Sequence, residues 1–139
     1  MKSDDLPLSL EQIWAVERQL GFALPESLKR SYLAANGGEP EPYVFENDDV
    51  DTVVSQFLPL ISPKRSTSVD IYRRLVLQKQ LVDSRFFPFA VDGGGDYFFV
   101  DVLTPEGEVY FYRSDNDPGD ELLDLHMGLN KFWSSLREE

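Results

Sequence analysis

The chain has 139 residues, a formal net charge of −12, 42% hydrophobic and 27% charged residues, and no cysteine. This composition is typical of a folded globular protein, and it excludes disulfide-stapled secreted domains, cysteine metal sites and thiolate nucleophiles. The excess of acidic over basic residues opposes binding to nucleic-acid phosphates and anionic lipid, and it favours a basic partner.

The length fits one folding unit, so we expect residues 1–139 to form a single domain, with a monomer favoured. The first residues, Met1 to Pro7, lack the basic and apolar regions of a signal peptide, and no apolar run approaches the length of a membrane span. We therefore expect a soluble, cytoplasmic protein.

The chain opens with a helix pattern. Ser9 followed by Gln12 is a capping box, apolar residues then recur at helical spacing, and Gly21 can provide a left-handed stop. These features predict a first helix from about Leu10 to Leu20.

A second helix is predicted to begin near Pro25, because proline is tolerated in a first helical turn. Its predicted apolar face comprises Leu28, Tyr32 and Leu33. The Asn-Gly-Gly sequence at 36–38 is predicted to end it.

The next segments predict two strands, over 43–45 and 53–58, because aromatic and β-branched residues cluster there on either side of an acidic loop. A third helix is predicted over about Val69 to Val82, with Ser68 as its cap.

Three further strand-like runs, over 86–91, 97–102 and 109–113, are separated by short turn-rich links, which is typical of an antiparallel meander. The first link, Asp-Gly-Gly-Gly-Asp at 92–96, predicts a tight hairpin that needs a positive φ. It is not a phosphate loop, because it joins two strands and lacks the following Lys-Ser/Thr.

The last stretch has apolar residues at steps of three and four, which predicts an amphipathic helix docked on the sheet, preceded by the acidic segment 115–121 near its N-terminus. The predicted fold is therefore α+β, with an antiparallel sheet of about five to six strands flanked by about four helices. The apolar stripe comprises Leu122, Leu125, Leu129, Phe132 and Leu136.

Few residues suit catalysis or metal binding. His126 is the only histidine and has no partner at motif spacing, so we predict a structural or surface role and no catalytic residue. Asp115, Asp117 and Asp120 fail the EF-hand spacing, which leaves at most an adventitious calcium site and no metal site in the prediction. A pair of carboxylates acting in hydrolysis stays an alternative, although the sequence selects no pair.

The acidic residues are grouped, because no lysine or arginine lies between Arg30 and Lys64, between Arg85 and Arg113, or between Arg113 and Lys131. Loops of one sign that converge would attract a cationic protein and speed its association. The candidate partner-binding residues are Glu39, Glu41, Glu46, Asp48, Asp49, Asp51, Asp92, Asp96, Asp115 and Asp117.

Four motif blocks follow one another along nearly the whole chain, with a stretch from about Glu39 to Asp83 that carries no such block. The blocks are Leu20-Gly21-Phe22 with Leu24-Pro25-Glu26-Ser27-Leu28 and Asn36-Gly37-Gly38, then Phe87-Pro88-Phe89-Ala90 with the 92–96 turn, then Val109-Tyr110-Phe111-Tyr112, then Phe132 and Leu136.

Together these blocks resemble the signature of the SUKH superfamily, in its Smi/Knr-type branch. The resemblance implies an α+β fold without catalytic residues or cofactors. It also implies a binding role, because bacterial members are mostly immunity proteins that neutralise a cognate toxin, often a nuclease, while eukaryotic members act as regulatory interaction domains.

We therefore expect an immunity protein that binds a basic toxin through acidic loops, since nuclease toxins must hold phosphates and are commonly basic. The alternatives are a regulatory adaptor domain and, with less support, a carboxylate-dependent hydrolase. The signature residues are expected to build the scaffold, with Gly21, Pro25 and 37–38 in caps and turns, and Phe89 and Tyr97 in or near the core.

Overall fold

A computed structural model of the protein describes residues 5–139. The prediction that Met1 to Pro7 form no signal peptide falls partly on residues 1–4, which lie outside that range. In chain order, the elements are α1 (Leu10–Leu20), α2 (Glu26–Ala34), β1 (Val44–Glu46), β2 (Asp51–Phe57), α3 (Ser68–Tyr72) continued by a π-helical stretch (Arg73–Gln78), β3 (Phe86–Asp92), β4 (Tyr97–Asp101), β5 (Glu108–Tyr112), β6 (Leu122–Gly128) and α4 (Leu129–Ser135).

The six strands form one sheet in the order β1-β2-β3-β4-β5-β6, and every neighbouring pair is antiparallel. This confirms the predicted α+β class with four helices and an antiparallel sheet. The β1 edge is covered, because the backbone of Arg137 exchanges hydrogen bonds of 3.0 and 2.9 Å with Val44. No strand lies beyond β6 among the residues described.

The helices pack on one face of the sheet, called the inner face here. Phe132 of α4 lies at its centre, with ring centroids 5.1 Å from Phe45, 5.1 Å from Phe98 and 5.5 Å from Phe89. All four rings are fully buried. Aromatic burial on this scale, with edge-to-face and tilted contacts, makes the inner face the main hydrophobic core.

The other helices reach the same face through single aromatic side chains. Tyr32 of α2 stacks on Phe57 at 4.7 Å, and Tyr72 of α3 lies 5.5 Å from Phe87. Phe22, which follows α1, makes an edge contact with Phe87 at 6.4 Å. The helices therefore leave the opposite, outer face of the sheet to solvent or to a partner.

The first helix forms as predicted. The Ser9 side chain accepts a hydrogen bond from the Gln12 amide, the Gln12 side chain accepts one from the Ser9 amide, and Gly21 ends the helix at φ 84°. In α2, Leu28 and Tyr32 are buried as expected, but Leu33 is 41% exposed, so its assignment to the apolar face is wrong. Leu33 follows Tyr32 by one residue, and a step of about 100° turns it away from the core.

The third helix differs from the prediction in its cap and its length. Thr67, and not Ser68, is the cap, since its hydroxyl accepts from the Asp70 amide and the Asp70 carboxylate accepts from the Thr67 amide. The Ser68 side chain instead points into the core, 2.6 Å from the Tyr32 hydroxyl. The helical region ends at Gln78 and not at Val82.

The C-terminal region is the largest correction. Residues Leu122–Gly128 form strand β6 paired with β5, and only Leu129–Ser135 is helical. The acidic segment 115–121 therefore precedes a strand and caps no helix, and His126 lies on β6. A strand places Leu122 and Leu125 on opposite faces. Leu123 and Leu125 are on the inner face, because Leu123 pairs with Phe111 and Leu125 is buried.

No helix within residues 5–139 combines the length and the hydropathy that crossing a bilayer requires.

Candidate functional site

Three acidic turns lie at the same end of the sheet. In an antiparallel sheet whose strands follow one another in order, alternate connections fall at the same end. Glu46 pairs with Asp51 at that end, Val54 pairs with Asp92, and Tyr97 pairs with Tyr112. The β1–β2 turn, the β3–β4 turn and the β5–β6 loop are therefore neighbours, although they are far apart in sequence.

Hydrogen bonds connect the β3–β4 turn to its neighbours on both sides. The Gly93 amide donates a 3.1 Å hydrogen bond to the Val53 carbonyl at the start of β2. The Ser114 amide in the β5–β6 loop donates to the Asp96 carboxylate at 3.4 Å. The β3–β4 turn therefore lies between strand β2 and the β5–β6 loop, at the end of the sheet that all three connections share.

The β1–β2 turn is organised by its asparagine. The Asn47 side-chain oxygen accepts hydrogen bonds from the amides of Asp49 and Val50 at 2.9 and 2.7 Å. Because Asn47 supplies these bonds and Val50 is buried, the turn is held without using the carboxylates of Asp48 and Asp49, which are exposed.

The β3–β4 turn is organised by Asp92. Its carboxylate is only 9% exposed and accepts from the Thr52 hydroxyl at 2.9 Å, the Gly94 amide at 3.0 Å and the Asp96 amide at 2.7 Å. Gly95 has the positive φ, 93°, that the sequence predicted for this hairpin. Asp92 is therefore committed to holding the turn.

The β5–β6 loop presents exposed acids. The Gly119 amide donates to the Glu121 carboxylate at 2.7 Å, and the Asp120 amide donates to the Asp117 carbonyl at 2.9 Å. The side chains of Asp115, Asp117 and Asp120 are exposed. In the described part of the chain, no three histidine or acidic side chains are grouped in a way that would hold a metal ion.

Some candidate acids lie elsewhere or have a partner. Gly38 pairs with Phe57 at the far end of β2, which places Glu39 and Glu41 towards that end and apart from the turns. Glu46 forms a 3.0 Å ion pair with Arg137. The remaining exposed or half-exposed acids define the surface called the acidic end here, which comprises Asp48, Asp49, Asp51, Asp96, Asp115 and Asp117.

A second feature, which the sequence interpretation missed, is an aromatic outer face. Tyr97 pairs directly with Tyr112, and Tyr110 pairs with Phe99, all on the side opposite the helices. Phe86 lies 4.9 Å from Tyr110. The alternation in β5 between buried Val109 and Phe111 and half-exposed tyrosines was the available signal. The surface formed by Phe86, Tyr97, Tyr110 and Tyr112 is called the tyrosine face here.

Acidic groups surround the tyrosine face. Burial raises the pKa of Tyr112, and the charges of Glu121 and Asp96 raise it further. Burial also raises the pKa of Tyr110, together with the charges of Asp124 and Asp101. Carboxylates therefore lie close to both tyrosines of β5.

The groove between α2 and α4 does not supply a pair of carboxylates for hydrolysis. A groove of about 340 Å³ lies between α2 and α4, and Glu41 supplies its only carboxylate. A two-carboxylate mechanism needs a second acid across such a cleft. The imidazole of His126 is exposed, and its Nδ1 lies 3.7 Å from an oxygen of Asp124, on the strand rather than in this groove.

Comparison with known proteins adds one finding. Residues 7–138 match the model of the SMI1 / KNR4 family (SUKH-1). No curated protein and no solved structure gives a significant match.

Proposed function

Since the chain belongs to the SMI1 / KNR4 family (SUKH-1), we propose that it is a non-enzymatic immunity protein that binds and neutralises a basic protein toxin through the acidic end. Family membership is consistent with such a role, and it agrees with the resemblance expected from the four motif blocks. The toxin class that best fits is a nuclease, whose substrate-binding surface must be basic to hold phosphates.

The observation that carries the proposal is the meeting of three acidic turns at one end of the sheet. Coulomb attraction adds over charges of one sign, so neighbouring turns produce a stronger field than the same acids spread over the surface. Such a field raises the association rate of a cationic protein and repels anionic ones. An inhibitor that carries it can occupy a basic active site in place of a nucleic acid.

The turns suit this task because their backbones are fixed without the exposed acids. Asn47 and Asp92 supply the side-chain hydrogen bonds in two of the turns. Asp48, Asp49 and Asp117 remain available to a partner. A turn backbone that is already fixed loses little conformational freedom on binding, which favours affinity.

The proposal is tested by co-expressing the protein with a toxin encoded by a neighbouring gene and measuring cell survival. The variant Asp48→Asn, Asp49→Asn, Asp117→Asn should lose protection. The matched control Glu11→Gln, Glu39→Gln, Glu41→Gln changes the net charge equally but away from the acidic end, so it should protect. Failure of the wild-type protein to protect, or equal loss in both triple variants, would count against the proposal.

Pull-down of stable partners that are not toxins, with binding that does not respond to salt, would instead favour the regulatory adaptor that the sequence left open.

A further inference from the structure

We propose that the tyrosine face forms the second half of the docking surface and that it receives arginine side chains of the partner protein. This inference rests on the proposed function, because it specifies how the same partner would be recognised beside the acidic end. It adds a chemical requirement that charge alone does not impose, namely a preference for arginine over lysine.

The first step is the geometry of the rings. Tyr97 and Tyr112 are directly opposite each other on β4 and β5, a register that brings side chains of one face to about 5 Å. Tyr110 precedes Tyr112 by two residues and so lies on the same face, and its ring is 4.9 Å from that of Phe86. The four aromatic side chains therefore form a row on one face of strands β3, β4 and β5, with a ring contact between Phe86 and Tyr110.

The second step is the exposure of the row. The helices place their aromatic side chains on the inner face, and Tyr97, Tyr110 and Tyr112 remain half-exposed on the outer one. Partly exposed tyrosines grouped on one face suit a protein interface, where tyrosine is enriched relative to the rest of the surface.

The third step is charge. The row begins at the acidic end, since Tyr97 follows Asp96 and Tyr112 pairs with Leu122 beside Glu121. Farther along, Asp124 pairs with Tyr110. An aromatic surface with this acidic border complements cations, whereas a second copy of the chain would bring another net charge of −12 to the same surface.

The fourth step selects arginine among cations, because the protein already binds one there. The Arg85 guanidinium lies 6.0 Å from the Phe86 ring centroid and donates two hydrogen bonds to the Asp101 carboxylate, at 2.9 and 2.7 Å. A planar guanidinium can stack on a ring and bind a carboxylate through two bonds at once, whereas an ammonium ion is more strongly hydrated and cannot. Tyr110 with Asp124, and Tyr112 with Glu121, offer similar combinations to a partner.

The experiment uses the full chain and two probes, an oligo-arginine peptide and an oligo-lysine peptide of equal length. We expect the arginine peptide to bind at least about fivefold more tightly by calorimetry, since each exposed cation–π contact contributes a few-fold. The variant Tyr110→Leu, Tyr112→Leu should remove this preference and leave the affinity for oligo-lysine unchanged. Tyr43→Leu is the matched control, because Tyr43 also lies close to acids, 3.4 Å from Glu139, but on the β1 edge.

A second readout needs no variant and so does not depend on folding of the double substitution. The ring-proton resonances of Tyr97, Tyr110 and Tyr112 should shift on addition of oligo-arginine and much less with oligo-lysine. Equal affinity for the two peptides, unshifted ring resonances, or dissociation of a dimer in the double variant would overturn the inference. The variant Asp48→Asn, Asp49→Asn, Asp117→Asn separates the two proposals. If the acidic end acts through charge alone, this variant should weaken the binding of both peptides by the same factor.

Discussion

The hydroxyl of Thr52 on β2 donates a 2.9 Å hydrogen bond to the carboxylate of Asp92, which is almost fully buried at the end of β3. The same carboxylate accepts hydrogen bonds from two backbone amides of the β3–β4 turn. One acid of the sheet end therefore holds its architecture, while the acids around it stay exposed.

Replacement of Asp92 by alanine should destabilise the fold, because it removes three hydrogen bonds to a buried charged group. We expect the free energy of unfolding in urea to fall by about 2–3 kcal/mol. Asp48→Ala, which removes an exposed acid of the neighbouring turn, should change it by less than about 0.5 kcal/mol. Equal effects would contradict the division between structural and exposed acids.

Neutralising the β1–β2 turn should act on binding kinetics. For the variant Asp48→Asn, Asp49→Asn, Asp51→Asn we expect the association rate with the toxin to fall about tenfold at low salt, measured by stopped flow, with the dissociation rate changed less. The difference should shrink as salt screens the charges. Unchanged association at low salt would show that the acidic end does not steer the partner.

Tyr32→Phe should test a buried hydroxyl pair between α2 and α3. The Tyr32 hydroxyl donates to the Leu58 carbonyl at 2.9 Å and lies 2.6 Å from the Ser68 oxygen, in a fully buried site. Its removal should lower the free energy of unfolding by about 1–2 kcal/mol. Tyr43→Phe, at the exposed edge, is the control and should leave the urea midpoint unchanged.

Alkaline pH should also reveal Tyr32. Burial raises the pKa of this phenol far above its ordinary value near 10, so above pH 10 the unfolded chain loses a proton that the folded chain keeps. The contribution of Tyr32 to the free energy of unfolding is fully present below about pH 10. Above pH 10 it decreases by about 1.4 kcal/mol per pH unit. Urea titrations between pH 9 and 11, values chosen to bracket the ordinary pKa, should give a shallower decline for Tyr32→Phe, and parallel curves would refute the assignment.

A series of glycine-to-alanine substitutions should separate backbone strain from close packing. Gly37 has φ 85°, and a Cβ there would lie 2.8 Å from the backbone nitrogen of Pro59. Gly119 has φ 94° but open space around it, and Gly94 has neither constraint. We expect losses of stability in the order Gly37→Ala, Gly119→Ala, Gly94→Ala, with about 1–2 kcal/mol from the left-handed φ alone. Equal losses at Gly37 and Gly119 would show that Pro59 moves aside.

Local signals in the sequence predicted the N-terminal half of the scaffold well. Helix α1 begins and ends where its capping box, Ser9 with Gln12, and its glycine stop, Gly21, predict, because these interactions span only a few positions. The third helix shows the limit of this approach. Thr67 and Ser68 are both good cap residues. Thr67 caps the helix because Asp70, three residues later, completes its capping box, whereas the Ser68 hydroxyl lies 2.6 Å from that of buried Tyr32.

The C-terminal leucines show a second limit. Their spacing of three and four predicts one helix, but Leu122–Gly128 pairs with β5, where backbone hydrogen bonds to a neighbouring strand replace those within a helix. His126 adopts φ 58° and the register shifts between Glu108 and Tyr110, so the period-2 pattern is broken within β6. Periodicity alone cannot distinguish a short irregular strand followed by a helix from one longer helix.

The sequence by itself determined both ends of α1, the 92–96 hairpin, the approximate positions of β1 to β5 and the grouping of acids into three loops, because each depends on residues close along the chain. Tertiary structure alone decided that these loops share one end of the sheet, since this depends on β2 pairing with β3 across the intervening helix. It also decided that Tyr97 and Tyr112 lie side by side on the face without helices. Long-range strand pairing sets both relationships, and no local pattern encodes it.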